Sequence, residues 1–561
     1  MAAKFSKVLE RNPHLNVYLQ RYAQQTNQSP KFMDTLGRDL GKEATVDVIY
    51  PVGDPIFIHL HGSKDTGHKY DVVQPMMEDE LGKAYERVVN NVFLKSGKEK
   101  IHSTDEEFNE VLDKLLNDIV EVTERRIPSK VVQLFKPNSK IYITPDDYSI
   151  LEYYVKRNIL QNGILEPILR DPYIEDIHCV GVREVNLYHK ILGMVETNIK
   201  FSNLSDLDKY TKGMSDRMGR PASISRPIID GALPDGSRIN IIYADDVSVN
   251  GPTFTIRKFS AEPLSAAQLS GWNTVSAQEA AYLWLCLENG MSVFVCGETA
   301  SGKTTLLNAI FPFIRYDQKI FSAEDTLEVQ PPHAVWQQLS TREFGPEESK
   351  VDTFALLRAG LRSRPNYIIV GEVRGKETYT MFQAMATGHT TFSTMHADSV
   401  KGMVNRLENP PINCPRILLT ALRNVIIQTH ARVGMDMVRR IKQLIEIVGF
   451  EPETNELISN TVYEWDQATD KFIFKGHSFL FDKIMEMKNL THEELLQEFE
   501  RRVDIIKYMV SKDISDHQEI WDLIRAYYKD PKGAAERARK ELRVSQIPVA
   551  AKLPTGGAAP A

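Results

Sequence analysis

Eight consecutive residues, Gly297-Glu298-Thr299-Ala300-Ser301-Gly302-Lys303-Thr304, have the types and spacing of a loop that wraps a phosphate. Gly297 and Gly302 let the backbone bend until its N–H groups converge on one point, and the positive end of a following helix strengthens the field there. Lys303 brings a cation to the β- and γ-oxygens of a nucleoside triphosphate such as ATP, and the Thr304 hydroxyl offers a ligand to Mg2+. The flanks agree with this reading rather than with an accidental glycine turn. An apolar strand over residues 292–296 precedes the loop, and a helix with Leu306, Leu307 and Ile310 on one side follows it, ending near Pro312.

Phosphate-loop enzymes usually carry a second strand that ends in an aspartate holding the metal shell. The matching strand here is Asn366-Tyr367-Ile368-Ile369-Val370-Gly371-Glu372, and Gly371 stands at the aspartate position. Glu372 is therefore better placed to orient and deprotonate water than to hold the metal. Glu324 and Asp325, at the end of a strand over 319–322, are the best acids for the metal; the competing reading is a solvated turn. His389 and His396 bracket a strand over 391–394 just past Glu372. A histidine beside a γ-phosphate can donate a hydrogen bond to it. The competing reading makes both of them packing residues.

The rest of the chain must position these groups. Its 561 residues suggest about three or four domains. A net charge of −7 lacks the basic footprint of a dedicated nucleic-acid binder, so no nucleic-acid partner is expected. The four cysteines, Cys179, Cys286, Cys296 and Cys414, are scattered, which fits a reducing compartment and no structural zinc. The N-terminus lacks the apolar core of a signal peptide, and the most apolar long stretch, 277–296, reads as helix, break and strand. A cytoplasmic protein with at most peripheral membrane contact follows.

Residues 1 to about 40 read as short helices, with Leu15, Tyr18, Leu19 and Tyr22 on one face for a helical bundle or a partner. Thr104 and Glu107 have capping-box spacing ahead of Phe108, Val111, Leu112, Leu115, Ile119 and Val122. Strands near 185–188 and 238–243 mark an α+β domain. The expected organisation is a helical N-terminal extension over 1–140, an α+β domain over 141–259, a linker over 260–272, an α/β ATPase domain with a mostly parallel sheet over 273–512, and a helix with a disordered tail over 513–561. Within that tail, a helix near 518–528 precedes disorder from about Lys529.

Four segments taken together resemble a known family. Residues 297–305, closing on Thr305, then Ser322-Ala323-Glu324-Asp325, then Arg362-Ser363-Arg364-Pro365-Asn366-Tyr367-Ile368-Ile369-Val370-Gly371-Glu372-Val373-Arg374-Gly375, then Thr387-Gly388-His389-Thr390-Thr391-Phe392-Ser393-Thr394-Met395-His396-Ala397 resemble the Walker A, Asp box, Walker B and His box of the type II/type IV secretion ATPases. The resemblance spans roughly residues 140–450. Asn12-Pro13-His14-Leu15 with Tyr18-Leu19, Glu262-Pro263-Leu264-Ser265, and the lack of a four-cysteine insert are more similar to the archaeal branch, in particular the archaellum motor ATPase.

The resemblance implies a RecA-like C-terminal P-loop domain and a mobile N-terminal domain in a homohexamer, with ATP and Mg2+ bound between the two domains. It implies ATP hydrolysis that drives archaellum assembly and rotation through a polytopic membrane platform protein and other motor components, at the inner face of the cell membrane. An adhesive-pilus or secretion ATPase is the nearest alternative; a nucleic-acid translocase and a non-hydrolysing scaffold are more distant ones. By motif, the phosphate and metal roles fall on Lys303 and Thr304, the Asp-box acid is Glu324, the catalytic glutamate is Glu372, and the His box brings His389 and His396. The family also supplies arginines to the γ-phosphate. Leu233-Pro234-Asp235-Gly236-Ser237-Arg238 and Thr255-Ile256-Arg257-Lys258 are the matching segments. Arg238 and Arg257 are thereby finger candidates, although Arg257 reads equally well as half of a structural ion pair.

Overall fold

Helices and runs of consecutive strands follow one another along the chain and collect into two compact units, residues 1–259 and 260–561. The computed structural model describes residues 2–97, 105–124, 140–244, 246–259, 263–342, 346–434, 436–454 and 456–542.

The N-terminal unit is built on a ten-stranded mixed sheet. Its strands are β1 (Lys31–Phe32), β2 (Thr45–Pro51), β3 (Phe57–Ser63), β4 (Gly67–Val73), β7 (Ile174–Val180), β8 (Glu184–His189), β9 (Gly193–Lys200), β10 (Ile228–Ala232), β11 (Arg238–Ile242) and β12 (Thr253–Arg257), while β5 (Val120–Val122) and β6 (Ile141–Ile143) pair separately. The order is β1-β2-β3-β4-β9-β8-β7-β12-β11-β10. Residues 1–140 are thus not a purely helical extension. Helices Ala2–Arg11, Pro13–Thr26, Asp79–Ser96 and Asp105–Ile119 are present, but β1 to β4 lie between them, and β4 pairs in parallel with β9. The physical reason is visible in residues 45–50 and 56–60. There β-branched and aromatic residues crowd together, and Val46, Val48, Ile49, Tyr50, Phe57, Ile58 and Leu60 are all buried.

A buried carboxylate ties the early strands to the later ones. Asp171 accepts hydrogen bonds of 2.7 Å from both Tyr50 and Tyr70 and one of 2.8 Å from the Tyr173 N–H. The helix carrying Leu15, Tyr18 and Tyr22 lies on this sheet rather than in a bundle: Leu15 packs with Phe32, Ile49, Phe57 and Val73. Of the capping pair before 108, Thr104 lies outside the described residues. The helix after it buries Leu112, Leu115 and Leu116 against Leu81, Val88 and Leu151.

The C-terminal unit is an α/β, RecA-like domain. Its strands are β13 (Val293–Gly297), β14 (Ile320–Glu324), β15 (Trp336–Ser340), β16 (Tyr367–Glu372), β17 (Thr390–Met395), β18 (Asn424–Val433), β19 (Asp436–Glu451), β20 (Glu456–Asp466) and β21 (Lys471–Phe474). They lie in the order β15-β14-β16-β17-β13-β18-β19-β20-β21. The first six run parallel, and an antiparallel meander completes the sheet. Both faces are covered, so alternate residues of one strand serve two cores. Val293 and Val295 pack with Leu283, Trp284 and Leu306, whereas Phe294 and Cys296 pack with Phe382, Met395 and Val425. A strand buried on both sides must read as a continuous apolar run, which is why residues 292–296 and 367–370 stand out in the sequence.

Two expectations are corrected at the edges of this domain. Residues 266–271, taken as linker, form the helix Ala266–Gly271, capped reciprocally by Ser265 and Gln268, with Ala266, Ala267 and Leu269 buried in the core. Helix His517–Lys529 falls where a helix is expected, but the chain stays ordered beyond it as Pro531–Leu542. The reason is a face of small residues: Ala534, Ala535 and Ala538 are buried although their neighbours are charged. Helix His492–Ser511 is held as well, because Arg502 reaches Glu288 at 2.6 Å and Glu498 at 2.8 Å. Residues 543–561 lie outside the described residues.

Candidate functional site

Parallel strands deliver their C-terminal ends to one edge of the sheet. β13, β16 and β17 therefore bring Gly297, Glu372 and the residue after Met395 to the same side, with β17 between the other two. The loop after β13 turns sharply into helix Lys303–Ile310. A Cβ on Gly297 would lie 2.4 Å from the Gln428 carbonyl oxygen and 2.6 Å from Ser301 Oγ, so only glycine fits. Gly302 caps the helix at φ 92°, and Ala300 also sits in the left-handed region at φ 61°. The Ala300 carbonyl is held by Arg439 Nε of β19 at 2.9 Å, and Ser301 Oγ donates to the Glu298 carbonyl at 2.8 Å. Thr299 is exposed, and Thr304 and Thr305 are half-buried in the first turn.

Lys303 is buried beneath this loop, where its Nζ donates to the carbonyls of Glu298 (2.8 Å) and Gly297 (3.2 Å) and to His396 Nδ1 (3.4 Å). An ammonium can only donate, so His396 Nδ1 carries a lone pair and the ring proton sits on Nε2. That nitrogen lies 3.1 Å from Glu372 Oε1, close enough for attraction although misaligned as a hydrogen bond. Glu372 Oε2 is paired with Arg374, and Arg406 donates to the His396 carbonyl at 3.0 Å. Burial lowers the His396 pKa first and the Lys303 charge lowers it further, against a smaller upward pull from Glu372, so the ring is neutral. The result is a continuous chain of Lys303, His396 and Glu372 at the mouth of the loop. Glycine hinges, a helix N-terminus and a buried lysine together form a cradle suited to a nucleotide's phosphates.

Glu324 closes β14 from inside the domain. It is 1% exposed, and its Oε2 accepts from the N–H groups of Glu328 (2.6 Å) and Val329 (2.8 Å). Burial pushes its pKa up to about 7, and those two N–H groups hold it from rising further. The turn it closes docks on the phosphate helix, since Asn308 bonds the Glu328 carbonyl and the Gln330 N–H, both at 2.8 Å. Glu324 thus has its Oε2 engaged by the backbone, while its Oε1 has Gln338 Nε2 nearby at 3.5 Å. Its side chain also accounts for Gly371. A Cβ there would lie 3.2 Å from Glu324 Cγ, and β16 bulges between Val370 and Glu372. Asp325 is exposed and accepts from Thr353 Oγ1 at 2.9 Å.

His389 does not join the site. It precedes β17 whereas His396 follows it, so the six residues of the strand separate them by about 20 Å, one at each end of the sheet. His389 instead lines a cavity of about 430 Å³ with Arg423, Lys483, Met385 and Met487. A six-residue strand is too long for the residues at its two ends to touch one phosphate.

Arg238 and Arg257 belong to the N-terminal unit. They are directly opposite one another in the β11–β12 register and both are exposed, and Arg257 is in register with Asp176 on β7. Two like charges face to face repel, which suits a pair that receives an anion.

Sequence reasoning missed Arg439 and Gln428, which shape the loop from β19 and β18. Both sit more than 120 residues away from it, and nothing local marks them. Arg374 was within reach, two residues past Glu372.

A profile of the family described as "Type II/IV secretion system protein" matches residues 197–489. An uncharacterized protein of Methanocaldococcus jannaschii is 45% identical over 534 residues, covering 94% of this chain and 97% of its own. The type IV secretion system protein VirB11 of Brucella abortus is 28% identical over 369 residues, 57% of this chain and 97% of its own. Among solved structures, the pilus retraction motor PilT with bound ADP is similar at 18% identity over 65% of this chain and 93% of its own, with a TM-score of 0.37. With the profile match covering half of the chain and the M. jannaschii relative nearly all of it, this protein belongs to the type II/IV secretion system protein family.

Proposed function

We propose that the chain is a Mg2+-dependent ATP hydrolase that works as a homohexamer and drives archaellum assembly and rotation through a membrane platform protein. The observation that carries the hydrolase reading is the chain of Lys303, His396 and Glu372 at the phosphate loop. In this reading the loop N–H groups and Lys303 receive the β- and γ-phosphates, and Thr304 offers its hydroxyl to Mg2+, which neutralises phosphate charge when bound. Glu372 takes the proton of the attacking water, and His396 holds Lys303 and Glu372 in register. Arg238 and Arg257 serve as fingers to the γ-phosphate, a role that in GTPases contributes about three to five decades of rate.

Glu372→Gln tests the assignment of the base. ATP affinity should stay within a few-fold while turnover drops by about two to four decades, because the loop and Lys303 are intact. Wild-type hydrolysis by that variant would refute it.

The archaellum reading rests on the N-terminal segment Asn12-Pro13-His14-Leu15; near full-length similarity to an uncharacterized Methanocaldococcus protein supports the archaeal branch, whereas VirB11 aligns with only 57% of the chain. The VirB11 similarity supports a second reading, a secretion or adhesive-pilus ATPase. Deleting the gene in its host separates them. Lost swimming with normal piliation supports the first reading; lost piliation with normal swimming overturns it. Among the described residues no helix is long and apolar enough to cross a membrane. In this reading the chain acts on its membrane partner from the inner face of the cell membrane.

A further inference from the structure

Helix Pro13–Thr26 covers a group of side chains on β3 and β4 that the phosphate chemistry does not use. His59 and His61 are two residues apart on one strand, so the period of two sends both to the same face. Asp71 stands across from His59 on β4, and Asp47 stands across from His61 on β2. One ligand atom from each of His59, His61 and Asp71 lies within 4.8 Å of the other two. His61 Nε2 is 3.0 Å from Asp71 Oδ2, and the two imidazoles stack with centroids 4.6 Å apart. The Tyr18 hydroxyl enters from the helix, 2.8 Å from His59 Nδ1 and 3.2 Å from Asp71 Oδ2.

The outer contacts set the chemistry of the inner ones. His59 Nε2 lies 2.8 Å from Asp47 Oδ1, so its proton belongs on that side and the Nδ1 lone pair points inward. A carboxylate behind an imidazole is the arrangement that orients histidine ligands at zinc sites. Around a tetrahedral Zn2+ with bonds of about 2.0–2.1 Å, ligand atoms stand roughly 3.3 Å apart. The ligand atoms here lie within 4.8 Å of one another, and the His61–Asp71 pair at 3.0 Å is already near that value. His59 is fully buried while His61 and Asp71 are 23% and 25% exposed, which leaves an entry path.

We propose that His59, His61 and Asp71 form a site for a divalent transition metal of the zinc class, with Asp47 orienting His59 and the Tyr18 hydroxyl as a neighbouring oxygen donor. Two imidazoles and one carboxylate select zinc over Mg2+ or Ca2+, which take oxygen ligands. Because Tyr18 lies on the helix and the other ligands lie on the sheet, occupancy fastens the N-terminal helix to β3 and β4.

The test uses full-length protein stripped with a chelator and titrated with Zn2+ by calorimetry. Wild type and Lys303→Ala should each bind one Zn2+ at this site. His61→Gln and Asp71→Asn should lose it, and Asp47→Asn should weaken it by about 10- to 100-fold. Circular dichroism checks that each variant is folded. Cobalt-loaded wild type gives an answer that no folding defect can blur: a visible d–d band distinct from that of aqueous Co2+ is expected. No saturable Zn2+ binding, equal binding in the folded His61→Gln and Asp71→Asn variants, or a purely aqueous cobalt spectrum would overturn the proposal and leave the cluster as a hydrogen-bonded clasp.

Discussion

Protonating His396 would set a second positive charge 3.4 Å from the Lys303 ammonium and remove the lone pair that accepts from it. Its folded pKa is depressed below the ordinary value of 6.5. Just below pH 6.5 the unfolded chain therefore binds this proton and the folded chain does not, so stability is full above that pH and declines as the solution is acidified toward the folded value. Thermal stability and hydrolysis should both fall through that window in wild type, and His396→Gln should flatten the dependence. Identical pH profiles for the two proteins would count against the link. The opposite end of β17 makes the contrasting case. His389→Ala should leave the hydrolysis rate within about two-fold, because a side chain about 20 Å from the loop touches neither phosphate nor water. A loss of several decades in a steady-state assay would return His389 to the site.

At the scale of strands and helices, Gly371 and Glu324 are a matched pair on β16 and β14. Gly371→Asp, which restores the usual aspartate, should destabilise the domain by about 1–3 kcal/mol through overpacking against Glu324. Thermal melts would detect it, and a shorter residue at 324 should recover part of the loss; an unchanged melting temperature would show that Glu324 yields freely.

The same pair shows what could be read in advance. Gly371 announced that the metal shell was unusual, and the buried strands and the phosphate loop were legible because their signals are local: a continuous apolar run, two glycines and a lysine at fixed spacing. That the Glu324 carboxylate turns toward backbone N–H groups depends on the turn after β14, and no spacing encodes it. Strands β2 to β4 were legible in residue type, through the β-branched and aromatic residues of 45–50 and 56–60, but their short buried runs carry no clean two-residue period. Arg439 reaches the loop only through the antiparallel meander, a tertiary fact.

For the whole molecule, the proposed arginine fingers are the feature whose test calls for more than one copy of the chain. Arg238→Ala and Glu372→Gln should each be inactive alone, and mixing them should restore part of the hydrolysis if Arg238 of one subunit serves the phosphate of the next. A mixture as inactive as its components would assign the arginine to its own subunit or to no catalytic role.

The ten-stranded sheet has a mechanical consequence as well. With neighbouring strands about 4.8 Å apart, its first and tenth strands are separated by roughly 43 Å along the sheet. Arg238 and Arg257 ride near one rim and the N-terminal helices near the other. Such a plate behaves as a tiller: turning the arginine rim by one degree sweeps the far rim through about 0.8 Å for that span. Were those arginines to serve as the proposed fingers, small adjustments around a phosphate would be delivered, enlarged, to the first seventy residues of the chain.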